Sequence, residues 1–211
     1  MNLSSKPLLA EEKPKYIFLL EDNAELRADL ARSLEFCGFT VFQYADAQSF
    51  LDNFSNVVPA VVVTDMRMPG LSGVELQARL AAEGRKIPMI FISGESTDAQ
   101  IVSAMKNGAV DFLLKPFSRE HLLSAVAKGI EIDALAMQKL VKKVAFEQKL
   151  KILSPRELQT FNLLVLGFNN TQIVNELQIS LPTAKQYKSA VMYKLGLRSV
   201  AELVALKFNS E

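Results

Sequence analysis

Acidic, hydroxyl and lysine side chains follow the ends of four short apolar runs in the first half of this sequence. Glu21 and Asp22 come after YIFLL, Asp65 after VVVT, Ser93 after MIFI and Lys115 after DFLL. Three carboxylates that converge repel one another and favour a hard divalent cation, and oxygen ligands favour magnesium. Such a cation would keep Asp65 ionised as a nucleophile, while Lys115 and Ser93 could contact phosphoryl oxygens. These residue types predict a phosphorylatable aspartate at position 65.

The four runs meet at one edge if they are strands of a single parallel sheet. Strand-like segments alternate with segments of helical spacing, which is typical of an α/β doubly wound five-stranded parallel sheet with right-handed crossovers. In such a sheet the carboxyl ends of the strands share one edge, where the five side chains would converge. The predicted strands are Tyr16–Leu20, Thr40–Tyr44, a segment within Val57–Thr64 that ends at Asp65, Pro88–Ser93 and Asp111–Leu114, and the predicted helices between them are Ala24–Cys37, Ala47–Asn53, Gly73–Glu83 and Ala99–Asn107.

The second half of the chain has a different pattern. The spacing stays helical for about thirty residues after Ser118, and from Leu153 onward short helices follow one another without a strand pattern. A tight turn between the second and third of four predicted helices indicates an all-α helix-turn-helix domain. We therefore predict a disordered tail over residues 1–15, an α/β domain over 16–133, a helical linker over 134–152 and a helix-turn-helix domain over 153–211.

Charge and composition restrict the possible partners. Residues 1–138 have a net charge of −5 and residues 139–211 a net charge of +6, so the basic second half is the part that could face nucleic acid. No run approaches the length of a membrane span. The single cysteine, Cys37, excludes an intramolecular disulfide and is expected to fill a small core space. Together these features predict a cytoplasmic protein without membrane contact.

The motifs LLEDN, VVVTDMRMPG, FISG and DFLLKPF together resemble the flavodoxin-like receiver domains of two-component response regulators, over roughly residues 15–135. The resemblance implies that a sensor histidine kinase transfers a phosphoryl group to Asp65. It also implies that Asp22, Asp65 and the backbone carbonyl of Arg67 hold Mg²⁺. Glu21 matches an acid that often acts through water, and Ser93 and Phe112 match the residues that switch on phosphorylation. Arg67 could also pair with Glu95 across the mouth of the site, which would slow loss of the phosphoryl group.

The stretch from about Leu153 to Val204 resembles the LuxR-type helix-turn-helix domains of the NarL/FixJ response regulators. In the third helix Ala184, Val191 and Leu195 share one side and can pack on a core, which leaves a polar ridge for the major groove. Pro182, Ala184 and Tyr187 depart from the usual residues and put the DNA sequence preference in doubt. The expected DNA contacts are Lys185, Gln186 and Ser189 at the bases and Tyr187, Lys188, Lys194, Asn170 and Thr171 at the flanks and the backbone.

The combined pattern predicts a transcription regulator controlled by phosphorylation. Its expected partners are the sensor histidine kinase, DNA, RNA polymerase and, after phosphorylation, a second copy of the chain. No enzyme activity is expected beyond acceptance and slow loss of the phosphoryl group. The alternatives are an aspartyl-phosphate hydrolase, which would want a second catalytic acid near the nucleophile where Arg67 stands, and an adaptor that binds only protein. The polar ridge of Lys185, Gln186 and Ser189 could alternatively be a solvent-exposed helix face without a partner.

Overall fold

The structure, a computed structural model, describes residues 14–95 and 97–208. The chain forms two compact units that divide between Leu135 and Ala136. Most of the tail predicted over residues 1–15 lies outside the described residues. Within the described ranges, no helix combines the length and apolar character that a membrane span requires.

The first unit is an α/β unit in which strands and helices alternate, as the sequence predicts. Its strands form one parallel sheet in the order β2-β1-β3-β4-β5. The elements are β1 (Tyr16–Leu20), α1 (Ala24–Phe36), β2 (Thr40–Tyr44), α2 (Ala47–Asn53), β3 (Ala60–Asp65), α3 (Gly73–Ala82), β4 (Met89–Ser93), α4 (Asp98–Lys106), β5 (Asp111–Leu114) and the start of α5 (Arg119–Leu150). This topology confirms the doubly wound fold.

The central strand β3 is buried at all six positions because helices cover both faces of the sheet. Val61 and Val63 pack on one side with residues of α1 and α5, whereas Val62 packs on the other side with residues of α2, α3 and α4. Side chains of a strand alternate between the two faces, so a strand covered on both sides must be apolar throughout. The valine run therefore ends at Asp65, where the strand reaches the edge of the sheet.

The second unit is entirely helical. Its elements are the end of α5, α6 (Pro155–Val165), α7 (Asn170–Leu177), α8 (Leu181–Leu195) and α9 (Val200–Phe208). Ser154 and Glu157 form a capping box at the start of α6, and Asn169 and Gln172 form another at the start of α7. The core is centred on Phe161 and Ile173.

The end of the long helix α5 belongs to this second core. Phe146 is only 6% exposed, and its ring centroid lies 6.1 Å from that of Phe161. Leu150 packs against the same cluster. Both residues fall inside the linker predicted over 134–152. The last part of that segment therefore belongs to the hydrophobic core of the second unit and is not only a connection between the units.

Candidate functional site

Three carboxylates converge at the carboxyl edge of the sheet. Glu21 and Asp22 directly follow β1, and Asp65 ends β3, which pairs with β1. One ligand oxygen from each of them lies within 4.8 Å of the other two. Glu21 and Asp65 are buried, whereas Asp22 is exposed. The sheet thus brings together the acidic residues that the sequence placed at separate strand ends.

Lys115 holds the two buried carboxylates together. Its Nζ donates a hydrogen bond of 2.8 Å to Oε2 of Glu21 and one of 2.6 Å to Oδ2 of Asp65. Burial acts to lower the pKa of Lys115, but its hydrogen bonds to Asp65 and Glu21 outweigh burial and raise the pKa above the ordinary value. The lysine is therefore a permanent positive charge at neutral pH, placed where an anion bound to Asp65 would meet it.

In Glu21, unlike in Lys115, the effect of burial on the pKa outweighs that of the hydrogen bond between the two side chains. Burial raises the pKa of its carboxyl group, the neighbouring Asp65 adds to this, and the hydrogen bond to Lys115 only partly compensates. Its backbone carbonyl accepts a hydrogen bond of 2.5 Å from Nη1 of Arg27 in α1. The side chain and the backbone of Glu21 are thus fixed separately, which holds the loop after β1 against the site.

The carboxylate of Asp65 is oriented by a backbone amide at one oxygen and by Lys115 at the other. Its Oδ1 accepts a hydrogen bond of 2.8 Å from the amide of Arg67, which leaves Oδ2 to Lys115. Helix α3 begins directly against the same residue at Gly73. A Cβ atom at position 73 would lie 2.6 Å from the carbonyl oxygen of Asp65, closer than such atoms approach one another, so this packing requires glycine.

Ser93 and Phe112 lie on β4 and β5, the two strands that follow β3 in the order of the sheet. Ser93 follows Ile92, the register partner of Asp65 on β4, and it is buried. Its hydroxyl donates a hydrogen bond of 2.8 Å to the carbonyl of Glu95, and its own carbonyl accepts from the amide of Lys115. Phe112 on β5 is half-buried and packs against the apolar cluster that includes residues of α3 and α4. The serine therefore connects β4 to both the loop after it and the residue that carries the ammonium group.

Arg67 and Glu95 lie at the mouth of the site and form the expected ion pair. Nη1 of Arg67 lies 3.4 Å from Oε2 of Glu95, with the two side chains 58% and 85% exposed. Such an exposed pair contributes little to stability because solvent screens it. The pair connects the loop after β3 with the loop after β4.

The acidic cluster fits a hard divalent cation. All three ligand atoms are oxygens, and two of the three carboxylates are buried and would otherwise repel each other. Small cations of this kind, magnesium above all, bind to one or two carboxylates and keep several waters. The exposed Asp22 leaves a side of the cluster open to solvent, as a cation that must also meet an incoming phosphoryl group would need.

In the second unit α7 and α8 form a helix-turn-helix. Helix α7 ends at Gln178, which has a φ of 52°, a left-handed conformation that reverses the chain within a turn of three residues. Ser180 then caps α8 by accepting a hydrogen bond from the amide of Thr183. Two helices joined by a turn of this length are typical of the helix-turn-helix motif.

Helix α8 divides into the two faces that the spacing predicts. Ala184, Val191 and Leu195 are buried in the helical core. Lys185, Gln186 and Ser189 are exposed on the other side, and Tyr187 and Lys188 are half-buried beside them. The exposed groups can donate and accept hydrogen bonds without losing contacts inside the domain, as residues that read base edges must.

Comparisons with known proteins agree with the two domains. The family model described as response regulator receiver domain matches residues 17–127, and the one described as bacterial regulatory proteins, luxR family, matches residues 151–206. The transcriptional regulatory protein FixJ of Bradyrhizobium diazoefficiens is 36% identical over 191 residues, which cover 90% of this chain and 93% of that protein. The chain belongs to the NarL/FixJ class of response regulators.

Two further relatives extend this assignment. The response regulator protein TodT of Pseudomonas putida is 31% identical over 193 residues, which cover 92% of this chain and 85% of that protein. The structure of the response regulator StyR superposes with a TM-score of 0.81 at 36% identity and covers 92% of this chain and 98% of its own. This response regulator is thus a transcription regulator that phosphorylation activates, with a histidine kinase and DNA as its partners.

Lys194 of this response regulator is exposed but bonds to other residues of the second unit. Its Nζ donates a hydrogen bond of 2.6 Å to Oε2 of Glu157 and one of 3.3 Å to the carbonyl of Ile152. The hydrogen bond from Lys194, together with the amide of Ser154, lowers the pKa of Glu157. Lys194 therefore anchors the last turn of α8 to the start of α6, and its contact with DNA stays a prediction.

The two remaining predicted contacts lie in the first turn of α7. Thr171 is exposed, as a residue near phosphate should be. The side-chain oxygen of Asn170 is buried, and no donor among the described residues reaches it. A phosphate group accepts hydrogen bonds, so the side-chain Nδ2 and the backbone amide of the half-buried Asn170 stay candidates for such a contact. The sequence reasoning missed Arg27 and Gly73 near Asp65, because only the folded contacts to Glu21 and Asp65 distinguish them from ordinary helix residues.

Proposed function

We propose that Asp65 is the phosphoryl acceptor of this response regulator and that it works with Mg²⁺. The observation that carries this proposal is the ammonium group of Lys115, which lies 2.6 Å from Oδ2 of a buried aspartate at the carboxyl edge of the sheet. Asp22, Asp65 and the backbone carbonyl of Arg67 would hold the cation, with Glu21 beside them. When bound, Mg²⁺ supplies positive charge to the phosphoryl oxygens.

The residues of the chain have separate roles in the transfer. A carboxylate oxygen of Asp65 attacks the phosphorus of the kinase phosphohistidine, and the phosphorus–nitrogen bond breaks with its electron pair left on the histidine. Lys115 then moves from the carboxylate to a phosphoryl oxygen. The hydroxyl of Ser93 turns from the carbonyl of Glu95 to another oxygen and leaves space for Phe112 to turn inward.

That movement would change the surface formed by α4 and β5. Ile101, Met105 and Phe112 lie there, and Met105 is exposed. We therefore propose that phosphorylation favours a symmetric dimer through this surface, because a state that exposes a better interface binds a second copy more tightly. The dimer would read two DNA half-sites through Lys185, Gln186 and Ser189, act on RNA polymerase and work in the cytoplasm, where the DNA is. The regulator would turn over no substrate beyond its own slow autodephosphorylation.

The test is phosphorylation of the full chain with acetyl phosphate in the presence of Mg²⁺, followed by mass spectrometry. The wild type should gain one phosphoryl group, Asp65→Asn none, and removal of Mg²⁺ should abolish the gain. Asp29→Asn, which changes an exposed aspartate paired with Arg32, is the matched control and should behave as wild type. Sedimentation with beryllofluoride should show dimers for the wild type and for Asp29→Asn but not for Asp65→Asn. Labelling that persists in Asp65→Asn would contradict the acceptor, and unchanged sedimentation would contradict the dimer.

A further inference from the structure

Tyr193 presents a bare aromatic ring in the last turn of α8. The residue is 88% exposed, and its hydroxyl group has no hydrogen-bond partner within residues 14–95 and 97–208. A tyrosine side chain combines a large apolar body with a polar tip, and for this reason it is enriched where proteins meet their partners. Tyr193 thus has both contact area and a hydrogen-bond donor that the second unit itself does not use.

The ring shares its face of α8 with the residues proposed to read bases. Tyr193 follows Gln186 by seven residues and Ser189 by four, and side chains at these spacings lie on the same side of an α-helix. The opposite side of the helix packs in the core of the second unit through Ala184, Val191 and Leu195. Tyr193 therefore extends the exposed ridge towards the end of the helix.

The turn that carries Tyr193 is fixed to the rest of the second unit. Nζ of Lys194 donates a hydrogen bond of 2.6 Å to Glu157 in α6, and Leu195 is buried. The amide of Gly196, which ends the helix, donates a hydrogen bond of 3.1 Å to the carbonyl of Tyr193. The ring therefore projects from a rigid support, and a partner has to order only its two side-chain torsions.

The position of Tyr193 along the helix indicates which part of the DNA it meets. The rise of an α-helix places it about 10.5 Å beyond Gln186 along the axis. In helix-turn-helix domains the first residues of the recognition helix meet the base edges, and the major groove is only about 12 Å wide. The last turn of α8 therefore comes close to the strand that borders the groove, where phosphate oxygens accept hydrogen bonds from tyrosine hydroxyls.

We propose that the hydroxyl group of Tyr193 donates a hydrogen bond to a backbone phosphate in each DNA half-site and so sets the position of α8 in the groove. The contact rests on the proposed reading of DNA through Lys185, Gln186 and Ser189. Because the donor is neutral, it replaces no counterion, and because phosphate is the same at every step, it adds affinity at any base sequence. Tyr193 is thus a positioning residue, whereas Gln186 distinguishes the bases.

The test is DNA binding by the full chain with beryllofluoride and Mg²⁺, measured by fluorescence anisotropy over a range of salt concentrations. The probes are a duplex that the wild type selects from randomised sites and a random duplex of the same length. Tyr193→Phe removes only the hydroxyl group and should weaken binding to both duplexes by about tenfold with an unchanged salt slope. Tyr16→Phe, the same change on β1, is the matched control and should bind as the wild type does.

Single methylphosphonate linkages in the selected duplex locate the contact. Each linkage replaces one charged phosphate by a neutral group, and the wild type should lose affinity at the phosphate that Tyr193 contacts. At that linkage Tyr193→Phe should lose about fivefold less affinity than the wild type, because its hydrogen bond is already absent. At linkages contacted by other residues the two proteins should lose the same affinity.

Three results would overturn the proposal. The first is binding of Tyr193→Phe within about twofold of the wild type at every salt concentration. The second is a loss confined to the selected duplex, which would make Tyr193 a contact to a base. The third is an equal loss for both proteins at every methylphosphonate. A wild type that does not distinguish the two duplexes would instead contradict the reading of bases by α8, while the random duplex still tests the phosphate contact.

Discussion

Lys115 reaches two carboxylates that lie 94 and 50 residues away in the sequence, whereas Lys185, Gln186 and Ser189 follow one another within a single helix. The acidic site exists only when four strands, β1, β3, β4 and β5, pair in register, and its charged side chains bond to one another. The DNA-binding face needs only a helix whose opposite side is packed. The side chains of the first site are thus inseparable from its architecture, whereas those of the second can be exchanged on an unchanged support.

This contrast predicts different results from substitution in the two units. In the acidic site a change should disturb several groups together, because one charge is shared among buried partners. On the face of α8 each change should act by itself and leave the fold intact. The following substitutions test this difference.

Lys115→Ala should have the largest effect. It removes the ammonium group that faces Asp65 and leaves two buried carboxylates opposed, so phosphorylation by acetyl phosphate should slow by about 10²-fold. The rate is measured by mass spectrometry against Lys142→Ala, which removes an exposed lysine elsewhere in the chain. A rate within about twofold of the wild type, which is close to experimental error, would mean that Lys115 does not act on the phosphoryl group.

Gln186→Ala should change which base is preferred at one position and cost roughly 1–3 kcal/mol there. Lys188→Ala is its comparison, because a half-buried lysine at the flank should contact phosphate. It should weaken specific and random DNA alike and reduce the salt slope by about one. Selection from randomised sites measures both effects. If Gln186→Ala leaves the preference unchanged while Lys188→Ala alters it, the orientation of α8 on DNA is the reverse of that expected.

Lys194→Met tests an ion pair that supports the second unit without reading DNA. The pKa of Glu157 is lowered in the folded chain, so the pair stabilises the fold above the ordinary pKa of a glutamate and loses this effect as the pH falls through the lowered value. The variant should therefore unfold at a lower temperature than the wild type at neutral pH, and the difference should shrink in acid. Its base preference should remain that of the wild type. A changed base preference would indicate that Lys194 contacts DNA.

Arg67→Ala/Glu95→Ala should have the smallest effect. An exposed ion pair is weak, so its loss should shorten the half-life of the phosphorylated chain by only about twofold. Loss of label over time after removal of acetyl phosphate gives the half-life, and each single variant shows whether the pair or one side chain is responsible. An unchanged or longer half-life in the double variant would exclude a shielding role.

The sequence predicted most of the fold because its signals are local. Apolar runs end at acids, at Ser93 or at Lys115, and helices begin at capping residues such as Ser154 and end near glycines. The convergence of Glu21, Asp22, Asp65 and Lys115 followed from the sheet topology alone. These features required no knowledge of how side chains pack.

The sequence could not reveal partners that are distant along the chain. Lys194 resembles any basic residue at the end of a helix, and only the fold brings it to Glu157, 37 residues earlier. Cys37 was expected in the core, but α1 ends at Phe36 and the cysteine is exposed, with its Sγ 3.1 Å from a guanidinium nitrogen of Arg119. Gln77 on α3 is buried and donates hydrogen bonds to the carbonyls of Ala104 and Asn107. Its burial could not be predicted, since a glutamine on a helix is usually a surface residue.

The burial of Phe146 limits where regulators of this type can be recombined. The luxR family match begins at residue 151, and a chimera joined there would replace the aromatic ring that packs on Phe161 and lies under Lys207. A junction between Leu135 and Phe146 keeps each hydrophobic core with its own helices. Exchange of receivers to connect a new stimulus to an existing promoter should therefore use this short stretch of α5, with its helical register preserved.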